Sequence, residues 1–171
     1  IPAGLEISEK FIGVQLARRQ MGHGRGGRMK IEKDWAEIWC GVRHGKTLGS
    51  PVGLLVKNKD WENWTKKMSI MPTDDKIKKV TLPRPGHADL AGVQKYDSKD
   101  IRNILERSSA RETTMRVALG TICRKLIEDF GIEVGSRVTQ IHDVIDSTSI
   151  SENFMPNELS SLADKSPVRC L

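Results

Sequence analysis

Three short segments of the chain carry the side chains that could do chemistry. The first, GHGRGGR at 22–28, combines four glycines with two arginines and a histidine. Glycine lets a backbone approach a ligand closely, and arginine forms bidentate hydrogen bonds with phosphate or carboxylate. From Leu16 to Lys30 the chain has five cationic side chains and no acid. The segment predicts an anion-binding loop, with a flexible surface turn and an RNA-binding segment as the alternatives.

The second segment is RPGHADL at 84–90. Pro83 and Pro85 stiffen the approach and Gly86 allows a tight turn, so His87 is presented from a defined backbone. A histidine side chain can donate or accept a proton near neutral pH, which makes His87 a candidate for proton transfer. The structural alternative is a turn in which His87 and Asp89 cap a neighbouring element. No pair of His or Cys residues has the spacing of metal ligands.

The third segment, LERSSARET at 105–113, interrupts the apolar stripe of a long predicted helix. At 100° per residue, Ser108 and Glu112 fall in the middle of that stripe and Arg111 lies at its edge. Burying an unpaired charge is costly, so these residues need partners. Two explanations stay open: contacts with neighbouring helices or a second subunit, and contacts with a bound anion.

The elements that position these segments can be read from capping residues and periodicity. Ser8 begins a helix over about 9–20, and residues 36–43 and 51–57 have the pattern of an antiparallel pair of strands. A long loop with one short helical turn near Trp61 and Trp64 follows over 58–86. Ser98 is the predicted N-cap of a helix that Gly131 ends. Strands over 132–145 and a weak helix over 156–165 complete a predicted α+β fold.

Length and composition narrow the class of protein. A chain of 171 residues with 37% hydrophobic and 29% charged residues is typical of one globular domain. No stretch approaches the roughly 20 apolar residues of a membrane span, which predicts a cytoplasmic protein with no membrane partner. A net charge of +6 favours an anionic partner. The chain begins at Ile1 rather than Met, and neither end is polar, which predicts a piece of a longer protein.

Longer strings of sequence carry a resemblance to a known family. ARRQMGHGRGGRMKIEKD, GVRHGKTLGSPV, RPGHADLAGVQKY, DIRNILERSSARETTMRVALG and SPVRCL occur in this order, and together they resemble chorismate synthase from Ile1 to Leu171. The resemblance implies a β-α-β sandwich with long core helices between antiparallel sheets, and one domain without an internal boundary over 1–171. It implies a cytoplasmic homotetramer that converts 5-enolpyruvylshikimate 3-phosphate to chorismate by anti-1,4-elimination of phosphate, with reduced FMN, as the last common step towards the aromatic amino acids.

The resemblance also implies roles for individual residues. His87 matches the histidine that lies at the flavin and manages its protonation, and Arg107, Ser108 and Ser109 match the segment that binds FMN. The arginines implicated in the substrate's phosphate and carboxylates correspond to Arg19, Arg25, Arg28, Arg84 and Arg111. Arg19 and Arg25 are also associated with reduced pyridine nucleotide, NADPH, as a reductant.

Two departures from the family affect the predicted activity. The family's opening Gly-Glu-Ser-His-Gly segment and its later half have no counterpart in these 171 residues. The chain by itself is therefore predicted to be catalytically inactive. The alternative hypothesis is a basic nucleic-acid-binding module built on the glycine-arginine loop. An aromatic content of 5% offers few stacking platforms for bases and argues against it.

Overall fold

The structure is a computed structural model, and it describes residues 1–23, 33–108, 110–151 and 154–171. The chain divides into two compact units. Unit 1 comprises residues 1–57 and 117–171, and unit 2 comprises residues 58–116. That the whole chain belongs to one domain stays a prediction.

The first helix of unit 1, α1 (Glu9–Gln20), agrees with the sequence prediction. The Ser8 hydroxyl accepts the backbone N–H of Phe11 at 3.2 Å, which is the expected N-cap contact. Ile12 and Leu16 lie one helical turn apart and are fully buried. The apolar face of α1 therefore packs into the core, and Arg18 and Arg19 lie in its last turn.

In the described residues between α1 and residue 57, there are four short strands. β1 (Ala36–Cys40) pairs antiparallel with β4 (Gly53–Val56), and β2 (Val42–Arg43) pairs with β3 (Lys46–Thr47). The pairing of the two predicted strand segments is confirmed, but the first of them is interrupted at Gly41. Gly41 has φ +82°, in the left-handed region, and a Cβ there would lie 2.3 Å from the Pro51 carbonyl oxygen. A side chain does not fit there, so a glycine ends β1 and turns the chain into the β2–β3 hairpin.

Unit 2 begins with the predicted long loop. It contains a single turn of 3₁₀ helix over Trp61–Asn63, as expected. The loop ends at α2 (Asp89–Tyr96), which periodicity did not predict. This helix is short, and its N-cap, Ala88, makes no side-chain capping hydrogen bond. It is supported by packing instead, since Gly92 lies against the Ile104 side chain so closely that a Cβ would be 2.4 Å away.

The long predicted helix appears as α3 (Arg102–Ser108) and α4 (Ala110–Glu128). The proposed N-cap at Ser98 is wrong. The Asp100 carboxylate accepts the Arg102 N–H at 3.1 Å and also the Val80 N–H at 3.2 Å, so a loop contact moves the helix start. The C-terminal end is as predicted, because Gly131 adopts φ +74° and its N–H donates to the Glu128 carbonyl at 2.9 Å.

The last part of the chain returns to unit 1. β5 (Gln140–Ile141) and β6 (Val144–Ile145) form a small hairpin, shorter than the strands predicted over 132–145, and α5 (Pro156–Ala163) confirms the last predicted helix. Helices with three two-stranded antiparallel sheets confirm the α+β class. The core of unit 1 consists of Leu5, Ile7, Ile12, Leu16, Ala36, Ala118 and Ile122. Among the described residues, no helix is long and apolar enough to cross a membrane.

Candidate functional site

The turn that contains His87 is organised around one buried carboxylate. Asp89 is the first residue of α2 and its side chain is fully buried. Its Oδ2 accepts the Arg84 backbone N–H at 2.9 Å and Nε at 3.0 Å, and its Oδ1 accepts Arg84 Nη2 at 3.1 Å. His87 Nδ1 lies 2.8 Å from the same Oδ1. Gly86, with φ +66°, allows the reversal that brings Arg84 and His87 to Asp89.

Arg84 also contacts the imidazole ring. Its Nη2 lies 3.0 Å from His87 Nδ1 and 3.1 Å from His87 Nε2. An atom so close to both ring nitrogens cannot lie in the ring plane, because Cε1 stands between them. Nη2 of the guanidinium therefore lies over the ring face, a position that arginine commonly takes against aromatic rings. The in-plane lone pair of Nε2 is not the target of this contact.

The electrostatics of the turn keep Asp89 ionised. Hydrogen bonds from the Arg84 guanidinium hold the pKa of the Asp89 carboxyl well below its usual range, although burial opposes this shift. Asp89 in turn raises the pKa of Arg84 through the same hydrogen bonds. An ionised carboxylate only accepts hydrogen bonds, so His87 Nδ1 must carry the proton that points to Oδ1.

The lowered pKa of Asp89 predicts that the free energy of unfolding decreases at low pH. Because the folded-state pKa lies below the unfolded value of about 3.9, the stability that Asp89 contributes is present above about pH 4 and is lost as the pH falls further. We expect the difference in unfolding free energy between wild type and Asp89→Asn to shrink from pH 7 to pH 3. Urea unfolding of both proteins at several pH values measures it. A difference that stays constant over this range would contradict the assignment.

A cleft of ≈ 500 Å³ lies beside this turn in unit 2. It begins at Ala88, the residue between His87 and Asp89, and its polar lining consists of Lys95, Tyr96, Ser108, Glu112 and Arg116. The Ser108 hydroxyl donates to the Ile104 carbonyl at 2.7 Å, and Arg116 Nε donates to Glu112 at 2.6 Å within α4. The two residues predicted to interrupt the apolar stripe, Ser108 and Glu112, therefore both line this cleft.

The other sequence-predicted residues of the second and third segments are partly described. Arg111 lies in α4 and is half-buried. Its position on the helix is rotated by about 100° from that of Glu112, which lines the cleft. Arg107 belongs to α3, and its side chain lies outside the described part of the structure. Ser109 also lies outside the described residues.

Arg19 lies in unit 1, at the end of α1. Its Nη1 is 3.3 Å from the Asp34 carboxylate, and the two side chains are 10% and 2% exposed. It lines a cleft of ≈ 450 Å³ together with Arg18, Arg137 and Arg169. Several cationic side chains thus share one recess within unit 1. Arg25 and Arg28, in the glycine-arginine loop, lie outside the described residues.

The acidic partners are what sequence reasoning missed. The sequence indicates only a capping role for Asp89 and gives no reason to single out Asp34. The spacing Arg-x-x-His-x-Asp within a Pro-Gly turn was a usable signal for Asp89, because residues two to five apart can meet across a tight turn. Asp34 and Arg19, which form a buried pair, are 15 positions apart in the chain. No local pattern in the sequence indicates a contact over that distance.

The fold and this site define the class of protein: an α+β protein with a histidine-carboxylate pair of the kind that enzymes use to transfer protons. The chain belongs to the chorismate synthase family, because the model of that family matches residues 1–171. The chain is similar to the chorismate synthase of Enterococcus faecalis, with 53% identity over 174 residues, covering 100% of this chain and 44% of that protein. The corresponding enzyme of Bacillus subtilis is 51% identical, over 99% of this chain and 44% of that protein.

A solved structure supports the same assignment. A crystal structure of chorismate synthase matches 99% of this chain and 42% of its own chain, with a TM-score of 0.71 and 38% identity. This likeness bears out the predicted chorismate synthase fold. The chain spans about 44% of the length of the curated relatives above.

Proposed function

We propose that the protein carrying this chain is a chorismate synthase, a lyase that eliminates phosphate from 5-enolpyruvylshikimate 3-phosphate to form chorismate. The observation that carries the proposal is the match of the family over all of residues 1–171, at 53% identity to a named chorismate synthase. The relatives reported above lend no support to the alternative, a nucleic-acid-binding module.

The residues of unit 2 fit the flavin that the family implies. The ≈ 500 Å³ cleft has a size within the range of about 300–1,000 Å³ that is common for ligand sites. Ala88, Ala91 and Ile104 offer an apolar wall for a flat ring, and Lys95 offers positive charge for a phosphate. Arg116 adds a second cation, which is paired with Glu112. Ser108 lines this cleft and would hold FMN there, and the family resemblance assigns the same role to Arg107 and Ser109. Reduced FMN, when bound, supplies the unusual electronic chemistry of the elimination.

The substrate is a small molecule with a phosphate and two carboxylates, and arginines are suited to bind all three groups. A guanidinium forms a planar pair of hydrogen bonds with either anion, and it stabilises the departing phosphate as negative charge develops on it. We assign this role to Arg25, Arg28, Arg84 and Arg111, with Arg19 as a fifth candidate. The contacts of Arg84 to Asp89 and His87 use its backbone N, Nε and Nη2, and none of them uses Nη1.

His87 is assigned the proton transfer. Its Nδ1–H is directed at Asp89, so the neutral ring has its lone pair on Nε2. The side chain is 27% exposed, which leaves part of the ring accessible to a ligand. A histidine held in one orientation exchanges protons at a defined atom, which a flexible surface histidine does not do.

Four further properties are part of the proposal. NADPH acts at Arg19 and Arg25 as a source of reducing power for the flavin. The protein assembles as a homotetramer and works in the cytoplasm. The chain by itself is inactive, because the relatives have more than twice its length.

The test of the function is an assay of the protein at its full natural length. With reduced FMN under anaerobic conditions, we expect chorismate and inorganic phosphate to appear in equal amounts from 5-enolpyruvylshikimate 3-phosphate. The same protein is tested for binding to RNA and DNA over a range of salt concentrations. The nucleic-acid-binding alternative would be favoured if no product forms and the protein binds RNA or DNA. The logarithm of its affinity would then fall linearly with the logarithm of the salt concentration.

A further inference from the structure

We propose that Asp89 is a positioning residue for the reaction, which fixes His87 in the Nδ1–H tautomer so that Nε2 is the atom that exchanges protons. The inference rests on the proposed function, because it concerns the histidine to which that function assigns proton transfer. It adds a residue of the same turn to which no contact with substrate or cofactor is assigned. Asp89 acts through His87 and Arg84.

The contacts of the Asp89 carboxylate determine the tautomer. Oδ1 lies 2.8 Å from His87 Nδ1, and the carboxylate is fully buried, so water does not compete for this contact. Because an ionised carboxylate accepts but does not donate, the hydrogen of a neutral imidazole must be on Nδ1. Nε2 then carries the lone pair. A carboxylate hydrogen-bonded to a histidine ring fixes the tautomer in this way at many enzyme sites.

The same carboxylate also holds Arg84 against the ring. Arg84 donates three hydrogen bonds to Asp89, from its backbone N, Nε and Nη2, at 2.9–3.1 Å. These bonds hold Nη2 of Arg84 over the imidazole face. One carboxylate with two oxygens thus orients a proton-transfer group and a cation together. In the described residues, the charged groups in hydrogen-bond contact with the ring are these two, Arg84 and Asp89.

The substitution Asp89→Asn distinguishes this role from simple filling of space. Asparagine has nearly the same shape, but one of its two polar atoms becomes an NH₂ donor. Oδ2 accepts two hydrogen bonds from Arg84, whereas Oδ1 accepts one, so the asparagine oxygen is needed at the Oδ2 position and the bond from Arg84 Nη2 is lost. The NH₂ group then faces His87 Nδ1, which must accept, and the ring proton moves to Nε2. We therefore expect Asp89→Asn to invert the tautomer of His87.

The chain contains a matched control. His142 and Asp143 form a second His–Asp pair, with Nδ1 at 2.6 Å from Oδ1, but their side chains are 88% and 82% exposed. The substitution Asp143→Asn makes the same chemical change at the surface, where water can replace the lost partner. We expect Asp143→Asn to leave both the His87 tautomer and turnover unchanged.

The experiment is magic-angle-spinning NMR of the full-length protein labelled with ¹⁵N-histidine. The spectra are recorded at a pH at which the imidazole rings are neutral, so that each ring has one N–H. The His87 signals are identified by their loss in His87→Gln. We expect Nδ1–H in the wild type and Nε2–H in Asp89→Asn, with turnover about 10²- to 10⁴-fold lower in that variant. A wild-type His87 protonated at Nε2 would overturn the proposal, and this result does not require the Asp89→Asn protein to fold.

Two other results would also overturn it: an Asp89→Asn protein that keeps the Nδ1–H tautomer, and one that inverts the tautomer without loss of turnover. The spectra are recorded without substrate. If the tautomers behave as expected but the wild type forms no chorismate, the proposed function fails while the role of Asp89 in orienting His87 stands.

Discussion

Replacing His87 by alanine is expected to lower kcat for chorismate formation by about 10²- to 10⁴-fold, the usual contribution of a positioned acid or base. His87 contacts a buried carboxylate at 2.8 Å and Arg84 Nη2 at 3.0 Å, so its ring is held in a defined orientation, and alanine supplies no group that exchanges protons. Steady-state assays with reduced FMN in excess measure the change. We expect KM to change less than kcat, because substrate binding is assigned mainly to the arginines.

His142→Ala is the matched control for this prediction. It removes a histidine that is also paired with an aspartate, but at an exposed site in unit 1. The control should retain wild-type turnover. Full turnover in His87→Ala, with saturating flavin and a folded protein, would remove His87 from the chemistry and leave only a structural role for the 84–89 turn.

Leu16→Ala is expected to reduce the free energy of unfolding by about 2–5 kcal/mol, the range measured for truncation of a buried leucine. Leu16 has no exposed surface and packs with Ile12, Ala36 and Ile122 in the core of unit 1. Its removal leaves a cavity between α1 and β1. Urea or guanidinium unfolding of the purified protein, followed by circular dichroism, measures the loss.

Leu48→Ala is the control for the core substitution, since it removes the same atoms from a side chain that is 55% exposed. Surface changes of this kind usually alter stability by no more than about 0.5 kcal/mol. Equal effects of the two substitutions would mean that α1 does not pack on the core as described. Because Arg19 is in the last turn of α1, Leu16→Ala is also expected to loosen the Arg19–Asp34 pair.

Several elements could be predicted from the sequence because their signals are local. Ser8 caps α1 through a contact three residues away, and Gly131 ends α4 through contacts within one helical turn. The apolar positions Ile12 and Leu16 follow the helical period. The α+β class, and the likeness that identified the family, depend on patterns of the same kind. The capping and periodicity signals are each complete within a few residues, and the class and the family follow from the order of such segments along the chain.

The errors have a common physical cause. α2 has no capping side chain and is stabilised by the approach of Gly92 to Ile104, 12 positions further along the chain. The start of α3 is shifted because Asp100 binds Val80, 20 residues away. The strand from Ala36 is interrupted because the backbone of Pro51 and Val52 leaves no room for a side chain at Gly41. In each case a distant segment overrides the local preference.

The same division holds for the candidate site. The sequence alone determined that His87 stands on a stiff Pro-Gly turn, that Ser108 and Glu112 interrupt an apolar stripe, and that positive charge is concentrated near Arg19. Only the tertiary structure decided that Asp89 is buried, that its carboxylate binds both Arg84 and His87, and that Ser108 and Glu112 share one cleft with α2. Burial depends on which distant segments pack over a residue, and the strength of a carboxylate's contacts depends on that burial, so neither can be read from neighbours in the chain.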